Sequence, residues 1–143
     1  MSASLDSAGF SRIEKLVVER QVRADLAELA LRYSAEGVDP LESGALRRRI
    51  LSGGASVRPV LVTIARDTST RLEERTLALS MAMARPTETD LPVLELLTEE
   101  SAPAIRVETA LALRKLEGAG ARKLLQRLRN DPEEVVRMAA GKE

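Results

Sequence analysis

Two stretches of sequence, residues 93–106 (VLELLTEESAPAIR) and residues 124–137 (LLQRLRNDPEEVVR), decide how this chain folds. They align without a gap at a spacing of 31 residues. Several paired positions share their chemistry: Leu97 with Leu128, Glu100 with Asp131, and Arg106 with Arg137. Each stretch has apolar residues at helical spacing, then an acidic turn containing or followed by proline, then a second helical run. A period of this length is typical of stacked helix pairs.

An earlier segment matches the same pattern more weakly. Residues 59–72 align with residues 92–105 at a spacing of 33, and Asp67 then takes the place of Glu100. The residue six positions after Asp67 is Glu73, where the later copies have arginine, and the nearest arginine is Arg75. The sequence therefore predicts three helix pairs, with the acid and arginine pattern interrupted in the first of them.

The later segments resemble a known family. Residues 104–113 (AIRVETALAL) and 130–140 (NDPEEVVRMAA) are similar to HEAT-like, armadillo-type helical repeats, and the resemblance is best over residues 91–140. The shared pattern is an acidic turn, a Val-Arg pair that opens the second helix (Ile-Arg in the earlier segment), and then an alanine-rich run. The resemblance implies that turn acids and arginines form a structural ladder between successive repeats. The ladder residues are Glu100, Arg106, Asp131 and Arg137.

The resulting fold class is all-α, a right-handed α-solenoid of about four antiparallel helix pairs with a long N-terminal helix. We expect a disordered tail over 1–9 and a single helical-repeat domain over 10–143. The predicted units are an irregular N-terminal pair over 11–53 and repeats over about 57–85, 90–118 and 120–143. Helices are predicted over 11–36, from Asp39-Pro40 to Gly53, over 57–66, from Thr70 to Pro86, over 91–99, 103–117 and 121–129, and after Asp131-Pro132.

Composition limits the chemistry that the chain can perform. The sequence has 22 Leu and 20 Ala, both strong helix formers, and aromatic residues are only 1% of it. It has no Cys, His or Trp, so the common nucleophilic triads, thiolate or histidine metal sites and disulfides are excluded. Adjacent acids such as Glu73-Glu74 and Glu133-Glu134 are typical of helix N-termini. We therefore expect no enzymatic activity, no catalytic or metal-binding residue and no cofactor.

The charge is segregated along the chain although the net charge is zero. Residues 86–103 carry five acids and no base, whereas residues 104–129 carry seven bases and two acids. The two segments either neutralise each other on adjacent helices or form a bipolar surface that orients a partner. An alternative is a nucleic-acid-binding function for the basic 104–129 segment, disfavoured by the neutral balance and the lack of aromatic stacking residues. Its candidate residues are Arg114, Lys115, Arg122, Lys123 and Arg127.

The function that these observations favour is a non-catalytic scaffold or adaptor that binds another protein. A further alternative is an accessory or regulatory subunit of an enzyme. We expect partner binding on the row of second helices, at Arg75, Arg85, Glu108, Arg114 and Lys115. We also expect self-association or fraying at the C-terminal helix, around Val135, Met138 and Ala139. No uncharged run is long enough to cross a membrane and no export signal is visible, so a cytoplasmic location is expected.

Overall fold

The structure is a computed structural model that describes residues 3–34 and 40–141. These residues form helices and no strand, which confirms the all-α class. The α-helices are α1 (Ala3–Ser34), α2 (Pro40–Leu51), α3 (Val57–Arg66), α4 (Leu72–Ala82), α5 (Leu91–Leu97), α6 (Pro103–Leu113), α7 (Ala119–Arg129) and α8 (Glu134–Ala140). Short 3-10 turns precede α3 and α5, at Gly54–Ser56 and Glu88–Asp90.

The chain divides into two compact units, and the single domain expected over 10–143 remains a prediction. The first unit is Met1–Thr63 and the second is Ile64–Glu143, so the division falls inside α3. The second unit contains the two stretches that decide the fold, together with all of the predicted partner-binding and ladder residues.

In the first unit, α2 contacts the C-terminal half of α1. Helix α1 buries Val22, Leu26 and Leu29, which recur at helical spacing. Tyr33, one turn further on, is 45% exposed, and it accepts a hydrogen bond at its hydroxyl from Arg47 at 3.0 Å. The Tyr33 side chain therefore lies at the edge of this interface, where its hydroxyl accepts a hydrogen bond and its ring contacts the Arg47 guanidinium.

The three consecutive arginines of α2 do not form one basic site. Arg49 donates to buried Asp25 at 2.7 Å, whereas the Arg47 guanidinium lies 5.5 Å from the centre of the Tyr33 ring. The hydrogen bond and the charge of Asp25 raise the pKa of Arg49. Consecutive helical positions point in directions about 100° apart, and two of these arginines are engaged by α1.

The second unit arranges its helices in two rows. Helix α6 contacts both α4 and α8, whereas α5 contacts α6 and α7. The second helices begin at Leu72, Pro103 and Glu134, so their spacing is 31 residues throughout. Leucine, isoleucine and valine side chains at the contacts are fully buried, among them Leu79, Leu94, Leu97, Ile105, Leu113, Leu128 and Val136. Neighbouring helices from α4 to α8 therefore share apolar surface.

Several helix boundaries differ from the sequence expectation. Helix α1 begins at Ala3, within the segment predicted as a disordered tail. This segment has no proline and one glycine, so nothing in it stops a helix. The predicted end of this helix at Gly37 and the cap at Asp39 lie outside the described residues. Helix α3 has the bounds predicted for it.

The sequence predicts that the fourth helix begins at Thr70, where Thr70 and Glu73 have the spacing of a capping box, and this prediction is wrong. Helix α4 begins at Leu72, after Arg71, which makes no capping bond. The Thr70 hydroxyl donates to Asp67 at 2.9 Å instead, and Asp67 also accepts hydrogen bonds from the backbone and the hydroxyl of Ser69. An Asx turn at Asp67 therefore occupies the residues that would have capped the helix.

Two other helices are shorter than predicted. Helix α5 ends at Leu97 because the Thr98 hydroxyl donates to the carbonyl of Glu95 at 2.6 Å. Helix α6 ends at Leu113 because the backbone then tightens, with Lys115 bonding to the carbonyl of Ala112. The connection to α7 contains Gly118 at a φ of 107°, which a residue with a side chain rarely adopts.

The last helix leaves apolar side chains exposed, as the sequence analysis expected. Val135 is 56% and Met138 is 60% exposed, while Val136 and Ala140 are buried against the rest of the unit. Self-association or fraying at this helix remains a prediction.

Candidate functional site

Arg106 links the last two helix pairs. Its guanidinium donates two hydrogen bonds to the Asp131 carboxylate, at 2.8 and 3.1 Å. The same guanidinium donates to the main-chain carbonyls of Glu100 and Ser101, at 2.7 and 3.1 Å. The exposed fractions of the two side chains are 12% for Arg106 and 8% for Asp131. A bidentate ion pair of this kind fixes both distance and orientation between the turns that it joins.

Arg75 makes the equivalent contact one helix pair earlier. It donates to Glu100 at 2.7 Å and to the carbonyl of Ala65 at 2.9 Å, and it is 5% exposed. Arg75 is 25 residues before Glu100, the same separation as between Arg106 and Asp131. The sequence analysis placed Arg75 on the partner-binding surface. In the structure Arg75 is buried, and its guanidinium is hydrogen-bonded within the ladder to Glu100 and to the carbonyl of Ala65.

Arg137 occupies the third position of the series. Its guanidinium donates to the carbonyl of Asp131 at 2.6 Å, as Arg106 does to the carbonyl of Glu100. The Arg137 side chain is otherwise exposed. The four ladder residues predicted from the sequence therefore lie close together: Glu100, Arg106, Asp131 and Arg137. Arg75 belongs to the same series of contacts.

The environment of Asp131 makes stability depend on pH. Burial raises the pKa of Asp131, but the hydrogen bonds from Arg106 and from the Glu133 N–H, with the charges of Arg106 and Arg137, outweigh it. The pKa of Asp131 is therefore held below its ordinary value. A carboxyl whose pKa is lower in the folded state stabilises the fold above its unfolded pKa of about 3.9 and loses this contribution as the pH falls.

We expect the free energy of unfolding to fall between about pH 5 and pH 3, and to fall less steeply in Asp131→Asn. Urea unfolding at pH 7, 5 and 3 measures both curves, which should converge at the acid end. Glu117→Gln, at an exposed carboxylate outside the ladder, should run parallel to the wild type. Parallel curves for Asp131→Asn and the wild type would contradict the prediction.

A cavity of about 490 Å³, which we call the α4–α6 groove, lies on the row of second helices. Its lining combines apolar and charged side chains: Ser80, Met83, Glu108, Leu111, Ala112, Arg114 and Lys115. Three of the five predicted partner-binding residues, Glu108, Arg114 and Lys115, therefore lie together in one cavity. Arg85 is exposed and lies outside the lining.

The sequence analysis missed the apolar part of the groove. Leu111 is 39% exposed, although most of the apolar residues of α6 are buried. Glu108 and Leu111 are three positions apart, so they share one side of α6, and Lys115 follows the end of this helix. An apolar residue between charged ones, away from the buried stripe at Ile105, is the signal that could have identified it.

The two groove cations also have structural contacts. Lys115 reaches the carbonyls of Met83 and Ala84, both at 3.4 Å, at the end of α4. Arg114 reaches the carbonyl of Ala139 at 3.3 Å, in the last turn of α8. A cation near the C-terminus of a helix is stabilised by the unpaired carbonyls and the helix dipole. These residues therefore hold the ends of neighbouring second helices together.

Glu108 differs from these neighbours. Its carboxylate accepts no hydrogen bond from any residue that the structure describes, and its side chain is half-buried. Burial raises the pKa of Glu108, and the charge of Lys115 partly opposes this effect.

The basic residues of the 104–129 segment are divided between two places. Arg114 and Lys115 line the α4–α6 groove, whereas Lys123 and Arg127 line a smaller cavity of about 240 Å³ with Leu91 and Glu95 of α5. Arg127 also donates to the Thr98 hydroxyl at 3.3 Å. Part of the basic segment thus faces part of the acidic one, so the five nucleic-acid candidates are not gathered in one cavity.

In the described part of the chain, no group of three or more acidic, cysteine or histidine side chains is placed to hold a metal ion. No helix there combines the length and the apolar character that crossing a bilayer requires.

Comparison with protein-family models, with curated proteins and with solved structures finds no match to this chain.

Proposed function

We propose that this chain is a non-catalytic scaffold of the HEAT-like repeat class that binds another protein in the α4–α6 groove. The observation that carries the proposal is the convergence of Glu108, Arg114 and Lys115 with the apolar Met83 and Leu111 in one cavity. Binding sites combine apolar walls with a few placed polar groups in this way.

The ladder supports the repeat class. Arg75–Glu100 and Arg106–Asp131 repeat one contact at one separation, and the second helices keep one spacing. A right-handed solenoid that continues this register is part of the proposal, as is a cytoplasmic location. Rigid stacking favours recognition because a preorganised groove loses little conformational entropy when a partner binds.

A peptide-selection experiment tests the groove. Random peptides displayed on phage are selected against the full chain, and the enriched peptides are then measured against two variants. Leu111→Arg fills the groove with a charged side chain, whereas Leu96→Arg makes the same change at a residue that is 54% exposed and outside the lining.

We expect the enriched peptides to bind Leu111→Arg about tenfold more weakly than the wild type, equivalent to about 1.4 kcal/mol, and to bind Leu96→Arg normally. Circular dichroism checks that both variants are folded. An absence of enriched peptides, or equal binding to Leu111→Arg and the wild type, would contradict the proposed function.

A further inference from the structure

Helix α8 exposes a surface whose counterpart on α6 is covered. We call it the α8 face and define it as Val135, Arg137 and Met138, which are all exposed. The residues at the same places on α6 lie 31 positions earlier and are only partly exposed, because α6 packs against α7 and α8. These counterparts are Ala104, Arg106 and Val107. The contacts of α6 therefore indicate what kind of partner the α8 face fits.

Arg137 makes the main-chain part of a ladder contact without the carboxylate part. Arg106 donates to the carbonyl of Glu100 at 2.7 Å and also to the Asp131 carboxylate at 2.8 and 3.1 Å. Arg137 makes the equivalent main-chain contact, to the carbonyl of Asp131 at 2.6 Å. No carboxylate of the described residues accepts a hydrogen bond from it. Its guanidinium therefore has donors left for an acid placed as Asp131 is placed for Arg106.

The apolar part of the α8 face is bulkier than its counterpart on α6. Val135 takes the place of Ala104, and Met138 takes the place of Val107. The two larger side chains are 56% and 60% exposed. A helical-repeat stack that ends in water has a polar outer face, so this surface has the character of one that another helix covers.

The size of α8 argues against pairing with a second copy of itself. The helix has seven residues and is therefore about 10 Å long. A stable interface buries about 800 Å² on each partner, more than two helices of this length offer each other. A helix pair that docks as α7 and α8 dock on the preceding pair covers α7 as well, and it brings its own turn beside Arg137.

We propose that the α8 face binds a helix pair of a partner protein that carries an aspartate or glutamate in the turn between its helices. This carboxylate accepts hydrogen bonds from Arg137, as Asp131 does from Arg106, while the second helix of the pair packs on Val135 and Met138. The α8 face is distinct from the α4–α6 groove, whose lining contains none of its three residues. The proposal therefore adds a second interaction surface and does not depend on the groove.

The probe is the pair α7–α8 itself, because the structure shows how it docks on α6. A copy of residues 111–141 is joined directly after Gly141, so that the aspartate in its turn stands 25 positions after Arg137, the separation found in both rungs. Hydrogen exchange of the α8 amides, measured by NMR in the original and the extended chain, reports whether the added pair covers α8. The variants are Arg137→Ala in both chains, Asp131→Ala in the added copy only, and Arg85→Ala as the exposed control.

We expect the α8 amides to exchange about tenfold more slowly in the extended chain, because the added pair covers their helix. Arg137→Ala and the aspartate variant of the added copy should each reduce this protection about tenfold, because each removes a charge-assisted contact, whereas Arg85→Ala should preserve it. In the original chain Arg137→Ala should have a smaller effect, since only the contact with a carbonyl is lost.

Equal exchange of the α8 amides in the original and extended chains would overturn the proposal, as would protection that persists when the added copy lacks its aspartate. The aspartate variant leaves the original residues unchanged, so its result does not depend on how a substituted α8 folds. Sedimentation equilibrium tests the competing occupant, a second copy of the chain. We expect Met138→Arg to leave the molecular mass of the original chain unchanged, and a dimer that this variant disperses would overturn the proposal.

Discussion

Replacing Arg106 with alanine is expected to lower the free energy of unfolding by about 3 kcal/mol. The side chain is 12% exposed and gives two hydrogen bonds to Asp131. Its removal leaves the Asp131 carboxylate, which is 8% exposed, without its main partner. Breaking a buried ion pair from one side is costly because the remaining charge stays away from water. The carbonyls of Glu100 and Ser101 lose a donor in the same variant.

Urea unfolding followed by circular dichroism measures this loss. Arg106→Lys should recover only part of the stability, since a lysine keeps the charge but cannot form the bidentate contact. Arg122→Ala, at an exposed position on α7, is the control and should stay within about 0.5 kcal/mol of the wild type. An Arg106→Ala protein as stable as this control would show that the ion pair does not hold the turns together.

The second large effect is expected at Arg75, where alanine should also lower the free energy of unfolding by about 3 kcal/mol. Arg75 is 5% exposed and joins two separate partners, the Glu100 carboxylate and the carbonyl of Ala65. Its loss leaves both without this donor inside the fold.

Arg85 provides a matched control, because the sequence analysis assigned Arg75 and Arg85 to the same surface. Arg85 is exposed, and Arg85→Ala should change stability by less than about 0.5 kcal/mol. The same urea experiment compares the two variants. Equal, small effects would mean that Arg75 is a surface residue after all.

Apolar periodicity and turn residues predicted the helix bounds well where both point to the same boundary. Helix α3 has the predicted bounds, and α7 begins two residues earlier than expected, at Ala119. The errors fall where a side chain competes with the backbone for hydrogen bonds. Thr98 shortens α5, and the Asx turn at Asp67 delays the start of α4. Such competition depends on the three-dimensional course of the turn, which periodicity does not contain.

The position of Arg75 shows why the ladder was only partly predictable. The sequence of the earlier repeat aligns with the next at a spacing of 33, but in the structure the end of α3 and the start of α4 lie 31 residues before the end of α5 and the start of α6. An alignment that stays at 33 puts Glu73 in the place of the arginine. At the spacing of 31 that the helices show, Arg75 falls in register with Arg106 and Arg137.

The charged residues of the groove were predicted from the sequence, whereas its apolar residues were not. Glu108, Arg114 and Lys115 were predicted to bind a partner because the sequence places them on the row of second helices, and in the structure they lie on α6 or directly after its end. Met83 and Leu111 resemble core residues in sequence. Met83 is indeed buried, and it is the place of both residues in the lining of the cavity that sets them apart. The contacts of Lys115 with the end of α4 join residues more than 30 positions apart, beyond the reach of local patterns.

Double-mutant cycles at the arginines and acids of the ladder test the repeated register most directly. The account predicts coupling energies of about 1–3 kcal/mol for Arg75 with Glu100 and for Arg106 with Asp131. Arg75 and Asp131 share no hydrogen-bonded partner among the described residues, and they should be additive within about 0.5 kcal/mol. Coupling of Arg75 to Asp131 as strong as to Glu100, or no coupling within either rung, would contradict a stack of helix pairs joined by one recurring ion pair.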